Sequence, residues 1–371
     1  MSPIEDPPPT GIEALGCLTP FGDAEATLHA LLAGRRALER LPVLGADGGE
    51  RVPLALAGSP EMTESLPPRW MGPLRSLAAG IPQGPWGSPR SPVVVTSSNF
   101  GVGSLYAYMG GRDPGHLAHG APFACVDHLQ REFGWGGQVH ILSHACVSAH
   151  VGLLHASRLL HAGLVDRVLA FSFDFVSPFV AGGFHSLKIL NADMPAPYQA
   201  RESGSIGLGD GAAFAVLTRA PCDFVIRAQA LHNEMRSFTG NQADGSGFAA
   251  CAEGVAAAAS GRRLWVKGHG TGTLEAGRLE AEAFARAFPG APLVSWKGSL
   301  GHTLGSCGLV ELALAVAAVR SGRAPGTIGS APPCFADAVA LEPFPTAGLD
   351  GAVIASNAFG GAHAALLLTH A

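Results

Sequence analysis

Cys146 stands where an apolar run at 138–142 gives way to a long, helix-spaced apolar stretch at 146–161. A thiol at the start of a helix meets the positive end of its dipole and free backbone N–H groups. Both favour the thiolate, the form that attacks carbonyl carbon. A lone cysteine is more commonly buried and inert, but two other positions change the weighting. His269 follows the run Leu264–Lys267 inside His269-Gly270-Thr271-Gly272-Thr273. Its glycines admit a ligand close to the backbone, and its threonines offer hydroxyls. His302 closes Lys297-Gly298-Ser299-Leu300-Gly301-His302, after an apolar run at 293–296. Side chains on two strand-end loops can converge on one point in an α/β fold. The chain has 15 histidines, so the Gly-rich setting, not residue type, singles these two out.

The elements that must carry these residues are legible in outline. Strands are expected at 13–18, 92–96, 138–142, 167–173, 211–218, 224–229, 264–267, 293–296, 351–355 and 364–368. Helices are expected at 23–34, with Asp23 as N-cap, and at 146–161, 274–288 and 308–320. Residues 41–90, rich in Pro, Gly and Ser, give no assignable pattern. Strands alternating with helices predict an α/β fold with buried, largely parallel sheets. Cys146 and His302 each precede an apolar helix, an echo that suggests a duplicated unit. Arg219-Ala220-Pro221 marks the expected boundary, giving halves 1–220 with the cysteine and 221–371 with the histidines.

Composition narrows the class. Of 371 residues, 47% are hydrophobic and 14% charged, which excludes a disordered chain. A formal net charge of -5 gives no footprint for nucleic acid. The seven cysteines show no CxxC spacing, so neither a disulfide framework nor a zinc site is expected, and a reducing cytoplasm fits. The first residues lack the basic and apolar regions of a signal peptide. The apolar segment 308–319 contains Glu311 and reads as a core helix, not a membrane span. His150, His155 and His161 recur along one stretch without a carboxylate, so no metal site is expected.

In chain order, Ala145-Cys146, the run 269–273, Lys297 with Gly301-His302, and Phe359-Gly360-Gly361 carry a family resemblance. Gly207-Leu208-Gly209-Asp210-Gly211 and Glu311 support it. The sequence resembles the β-ketoacyl-[acyl carrier protein] synthases of the Cys-His-His type, from about residue 11 onward. The resemblance implies a thiolase-like, five-layered αβαβα fold of two duplicated halves. It implies an acyltransferase that condenses malonyl thioester, with loss of carbon dioxide, onto an acyl chain held by Cys146. His269 and His302 would stabilise the enolate, and the N–H groups of Cys146 and Phe359 would form the oxyanion hole. Lys297 would pair with Glu311 to order the histidine loops. Thr271, Thr273, Phe359, Gly360 and Thr239 would contact substrate. No cofactor would be bound by the chain itself, because phosphopantetheine arrives on an acyl carrier protein. Arg69 and Arg75 match the expected docking position best, and Arg35, Arg36 and Arg40 are further candidates. A homodimer, or a heterodimer with a ketosynthase-like subunit, is implied.

The sequence departs from the family pattern at Ala276-Gly277, where Asn-Asp is usual, and at Pro197-Tyr198-Gln199, where Pro-Phe-Asp is usual. His144 replaces a small residue or threonine two before the cysteine, either to tune the thiol or as a structural residue. These changes point away from housekeeping fatty-acid synthesis and toward a specialised polyketide or polyene pathway. Two alternatives stay open: a chain-length-factor-like subunit, and an acyltransferase or decarboxylase that does not condense.

Overall fold

The computed structural model describes residues 8–44, 49–58, 62, 64–235, 237 and 240–371. Ten strands form its main sheet path: β1 (Thr10–Thr19), β2 (Val93–Thr96), β3 (Val139–Leu142), β4 (Arg167–Asp174), β5 (Gly211–Thr218), β6 (Phe224–Asn233), β7 (Leu264–Lys267), β8 (Leu293–Val294), β9 (Gly351–Ala358) and β10 (Ala362–His370). Six helices matter here: α1 (Met71–Ala78), α2 (Pro122–Phe133), α3 (Ser148–His161), α4 (Ser246–Ala256), α5 (Leu274–Ala287) and α6 (Cys307–Ser321). Asp23 caps the helix Ala24–Leu32, accepting from Ala26 N.

The first five strands lie in the order β3-β2-β4-β5-β1, and the second five in the order β8-β7-β9-β10-β6. Each set holds two parallel pairings followed by two antiparallel ones. The same order and the same directions occur twice, on either side of residues 219–223, the stretch holding the expected boundary. The sets join through an antiparallel pairing of β1 with β6. Helices α3 and α6 pack on each other and on strands of both sets. Helices α1 and α2 pack against the first set, and α4 and α5 against the second. The layers are therefore helix, sheet, helix, sheet, helix.

Helix α6 explains why the middle layer is so apolar. Eleven of its fifteen residues are buried, so no face is left for water. It is apolar enough in composition to cross a membrane, but it is mostly enclosed by the two sheets. Each Leu or Val buried this way contributes about 1.5–3 kcal/mol.

The expectation of largely parallel sheets is corrected: half of the pairings within each set are antiparallel. The physical cause is visible at β9–β10, joined only by Phe359-Gly360-Gly361. A parallel crossover needs a dozen or more residues, so this link closes a hairpin. The expected strand at 293–296 is shorter, Leu293–Val294. Ser295 leaves the ladder because its hydroxyl donates to Gly270 O at 2.7 Å and its N–H to Thr327 Oγ1 at 3.2 Å.

Leu314 on α6 is fully buried. Leu314→Ala is expected to lower unfolding free energy by about 2–5 kcal/mol in a urea titration, with an unchanged slope.

Candidate active site

Cys146, His269 and His302 come from three loops and line one cavity of about 210 Å³. Larger hollows exist elsewhere on the surface, but chemistry, not size, identifies the site. Ala145, just before the cysteine, holds φ +44°, so the chain turns sharply there before α3 begins at Ser148. The Ser148 hydroxyl binds this turn, donating to Ala145 O and accepting from His144 N, both at 2.7 Å. Asp174 at the end of β4 accepts from Ser97 Oγ, Ser98 N and Asn99 N, fixing a neighbouring loop. Gly305 N, on the segment after His302, donates to Ser98 Oγ at 3.3 Å.

The histidine loops are held from behind. Glu280 on α5 accepts from His269 N at 2.5 Å, Gly270 N at 2.8 Å and Tyr198 Oη at 2.9 Å. His302 is stitched to the chain before β5: its N–H donates to Gly207 O at 2.7 Å, and its carbonyl accepts from Gly209 N at 3.0 Å. Gly301 has φ +73°, and a Cβ there would lie 2.5 Å from Leu208 C, so only glycine fits. The imidazole rings stand edge to face, with centroids 4.9 Å apart. Lys297 Nζ lies 2.5 Å from Glu311 Oε1, both groups buried, as the resemblance implied. Sequence reasoning missed Lys267, whose Nζ reaches the same oxygen at 2.8 Å. It also missed Glu280 and Tyr198. No local pattern reveals these residues, although the change to Tyr at 198 supplied the hydroxyl that Glu280 accepts.

The electrostatics correct the expected resting thiolate. Burial drives the Cys146 thiol well above its ordinary value, with Cys307 and Asp174 adding to the rise. Lys297 offsets this only in part. Cys146 precedes the helix by two residues, so dipole stabilisation is weaker than desolvation. Burial, then the nearby cations, holds His269 and His302 well below the usual imidazole value, so both rings are neutral. Neutral imidazoles can accept a proton from the thiol or donate a hydrogen bond to a developing anion.

Of the expected substrate contacts, Thr271, Thr273 and Phe359 line the cavity. The hydroxyls of Thr271 and Thr273 lie 3.2 Å apart. Gly360 is in the adjoining turn at φ +85° but is not a lining residue. Thr239 falls outside the described residues. Phe184 stacks on Phe359, centroids 5.7 Å apart, and narrows the cavity. Glu234 clasps the turn: its N–H donates to Gly361 O at 2.9 Å, and its carboxylate takes His363 Nε2 at 2.9 Å and Gln242 N at 2.7 Å. His144 does not line the cavity. His150, His155 and His161 each contact a protein partner, Ser356, His140 and Thr10 respectively.

Arg69 requires a correction. It is buried, bonded to both oxygens of Asp210 at 2.6 and 2.9 Å, and donates to Val176 O. Asp210 also accepts from Ala57 N and Val176 N, which explains the Gly207–Gly211 motif as a structural knot. Such a guanidinium offers nothing to a docking partner. Arg75 is exposed and paired with Glu132 at 2.6 Å.

Comparison with known proteins agrees with this geometry. The family description "Beta-ketoacyl synthase, N-terminal domain" matches residues 125–221, and "Beta-ketoacyl synthase, C-terminal domain" matches residues 224–331. The chain belongs to the β-ketoacyl synthase family. It is 29% identical over 226 residues to the tetracenomycin polyketide synthase ketoacyl synthase alpha subunit of Streptomyces glaucescens, covering 53% of this chain and 51% of that protein. It is 28% identical over 294 residues to the granaticin polyketide putative beta-ketoacyl synthase 1 of Streptomyces violaceoruber, covering 69% and 68%. The chain thus spans between about half and two thirds of the length of these relatives. Among solved structures, a ketosynthase in complex with its chain length factor from Xenorhabdus doucetiae aligns with TM-score 0.81 at 20% identity, covering 100% of both chains. A type II polyketide synthase acyl-carrier protein in complex with its ketosynthase aligns with TM-score 0.82 at 15% identity, covering 98% of this chain and 100% of that one. These likenesses establish the thiolase-like ketosynthase fold.

Arg69→Met strands the Asp210 carboxylate, and differential scanning calorimetry with urea titration is expected to register a loss of about 3–5 kcal/mol. Arg75→Ala is expected to leave the melting temperature unchanged, because an exposed pair contributes little.

Proposed function

We propose that this protein is a β-ketoacyl synthase, catalysing decarboxylative condensation of a malonyl thioester with an acyl chain held on Cys146. The observation that carries the reading is one cavity lined by a buried thiol and two neutral, orthogonal imidazoles. The Cys146 thiol gives its proton to an adjacent imidazole as sulfur attacks the incoming thioester carbonyl. The backbone N–H groups of Cys146 and Phe359 hold the resulting oxyanion. The carrier thiol leaves with the proton, and the acyl chain stays on sulfur. A malonyl thioester then enters, its pantetheine arm beside Thr271 and Thr273. Its carboxylate carbon leaves as carbon dioxide, and the electron pair forms an enolate whose oxygen accepts hydrogen bonds from His269 and His302. The α-carbon attacks the acyl carbonyl, a carbon–carbon bond forms, the bond between the acyl carbon and Cys146 Sγ breaks, and the released thiolate takes up a proton from solvent.

The donor is an acyl carrier protein bearing phosphopantetheine. Exposed Arg35 and Arg36 suit its acidic surface better than Arg69. Their segment is fastened to the loop before His302, with Leu38 N donating to Ser299 O at 3.2 Å and Ser299 Oγ donating to Arg35 O at 2.6 Å. A second subunit, identical or ketosynthase-like, fits β3, the half-exposed edge strand of the first set. Tyr106, Met109, Leu117 and Phe123 are exposed on the same half. A specialised polyketide pathway fits the departures: Ala276 lines the cavity, Tyr198 donates to Glu280 behind the His269 loop, and Gln199 accepts from Ala331 N, all without disturbing the triad. Seven free cysteines suit a reducing cytoplasm. A purely structural subunit would not need all three reactive groups in one cavity.

The test is intact-mass analysis after incubation with acyl- and malonyl-carrier protein. Wild type is expected to gain the acyl mass and release a β-ketoacyl carrier, whereas Cys146→Ala gains none. His269→Ala and His302→Ala are expected to keep the acyl mass but lose condensation by about 10²–10³-fold. Acylation without a ketoacyl product, under all carriers, would instead identify a transferase or a subunit lacking its partner.

A further inference from the structure

Lys267 ends β7, two residues before His269, and its side chain is wholly buried. Its ammonium lies 2.8 Å from Glu311 Oε1, donates to Gly268 O at 2.7 Å, and sits 5.5 Å over the Trp296 ring. Lys297 approaches the same carboxylate oxygen at 2.5 Å. One carboxylate therefore faces two ammonium groups, and one of the two suffices to neutralise it.

The remaining titratable groups around Lys267 do not absorb the second charge. Cys307 on α6 and His150 on α3 are neutral: burial raises the thiol to about 11 and lowers the imidazole to about 4. His269 and His302 are neutral for the same reason. Glu280, whose carboxyl burial raises, interacts with Lys297 and not with Lys267, and its oxygens already accept from two backbone N–H groups and the Tyr198 hydroxyl. The excess cation is costly to bury unless an anion arrives. The condensation reading supplies that anion, first as the malonyl carboxylate and then as the enolate between His269 and His302.

We propose that Lys267 is a positioning residue for decarboxylative condensation, supplying the positive charge that balances the anion held by His269 and His302 while Lys297 neutralises Glu311. The assignment deepens the synthase reading and rests on it. Lys267 touches no substrate; it acts across the imidazoles, through a medium where charge interactions remain strong. Burial, opposed in part by Glu311 and reinforced by Lys297, lowers the ammonium to about 8. The charge is thus present at neutral pH and lost as pH rises through 8.

Lys267→Met removes the charge and both hydrogen bonds, whereas Lys267→Gln keeps a donor for Gly268 O. Both retain the Lys297–Glu311 pair. At pH 7 each variant is expected to condense at least about tenfold more slowly while still acquiring the acyl mass on Cys146. The wild-type rate is expected to fall above about pH 8, and neither variant should show that alkaline limb. An independent readout is stability against pH. An unfolded lysine titrates near 10.4, so the native state binds fewer protons between about 8 and 10.4. Wild-type stability relative to Lys267→Met should therefore rise with pH across that window, whatever reaction the enzyme performs. Wild-type rates in Lys267→Gln with a slow Lys267→Met would assign the effect to the hydrogen bond and overturn the charge role. An alkaline limb that survives in both variants would overturn it as well. A wild-type protein that forms no ketoacyl product sinks the synthase reading and this proposal together; a rising stability difference in that case shows that the failure lies in the chemistry and not in the charge state of Lys267.

Discussion

Glu311 brings a carboxylate into the middle layer of the molecule, on a helix whose other buried residues are almost all apolar. A lone charge there would be untenable. It is tolerable because Lys267 reaches it from the end of β7 and Lys297 from the helical turn after β8, and both segments also lead into the histidine loops. The ion cluster therefore ties helix α6, the end of β7 and the loop after β8 to one point. His269 and His302 are placed as a by-product of satisfying that carboxylate. Glu280 repeats the device on the outer side, anchoring the backbone of the His269 loop from α5.

The duplication gives this arrangement its economy. Two sets of five strands with one strand order enclose two helices, α3 and α6, and each helix is preceded by a reactive loop. One loop presents sulfur and the other an imidazole. Because the helices pack on each other, the loops at their beginnings are neighbours without any long excursion of the chain. Strand order also explains the mixed pairing: the last strand of each set returns antiparallel and seals the side of the parallel trio that the connecting helices leave open.

Much of this was legible in the sequence, for a physical reason. Cys146, His269, Lys297, His302 and Glu311 sit in short glycine-bearing runs whose spacing reflects local turns, and local turns are written locally. Strands such as Gly211–Thr218 and Leu264–Lys267 are continuous apolar runs and fall where expected. Helix α2 was overlooked although Pro122 at its first turn and Gly134 at its end mark it. Lys267, Glu280 and Arg69 could not be read. Each looks like an ordinary surface charge, and each is buried only because a residue distant in sequence supplies its counterpart. The direction of the Cys146 shift was misread because helix position is visible in a sequence, whereas the depth of burial is a property of the whole fold.

Phe359, which lines the cavity with Cys146, is mounted on a connection of three residues between two long paired strands. Such a mount has little slack. Gly361 O accepts from the Glu234 backbone N–H, and the Glu234 carboxylate holds His363 at the root of β10 and Gln242 beside the cavity wall. A displacement of Phe359 large enough to move Gly361 must either break these bonds or carry the neighbouring segment with it. The cavity rim is thus a linkage of two segments fastened through Glu234, so a shift near Asn241 and a shift of Phe359 are mechanically coupled.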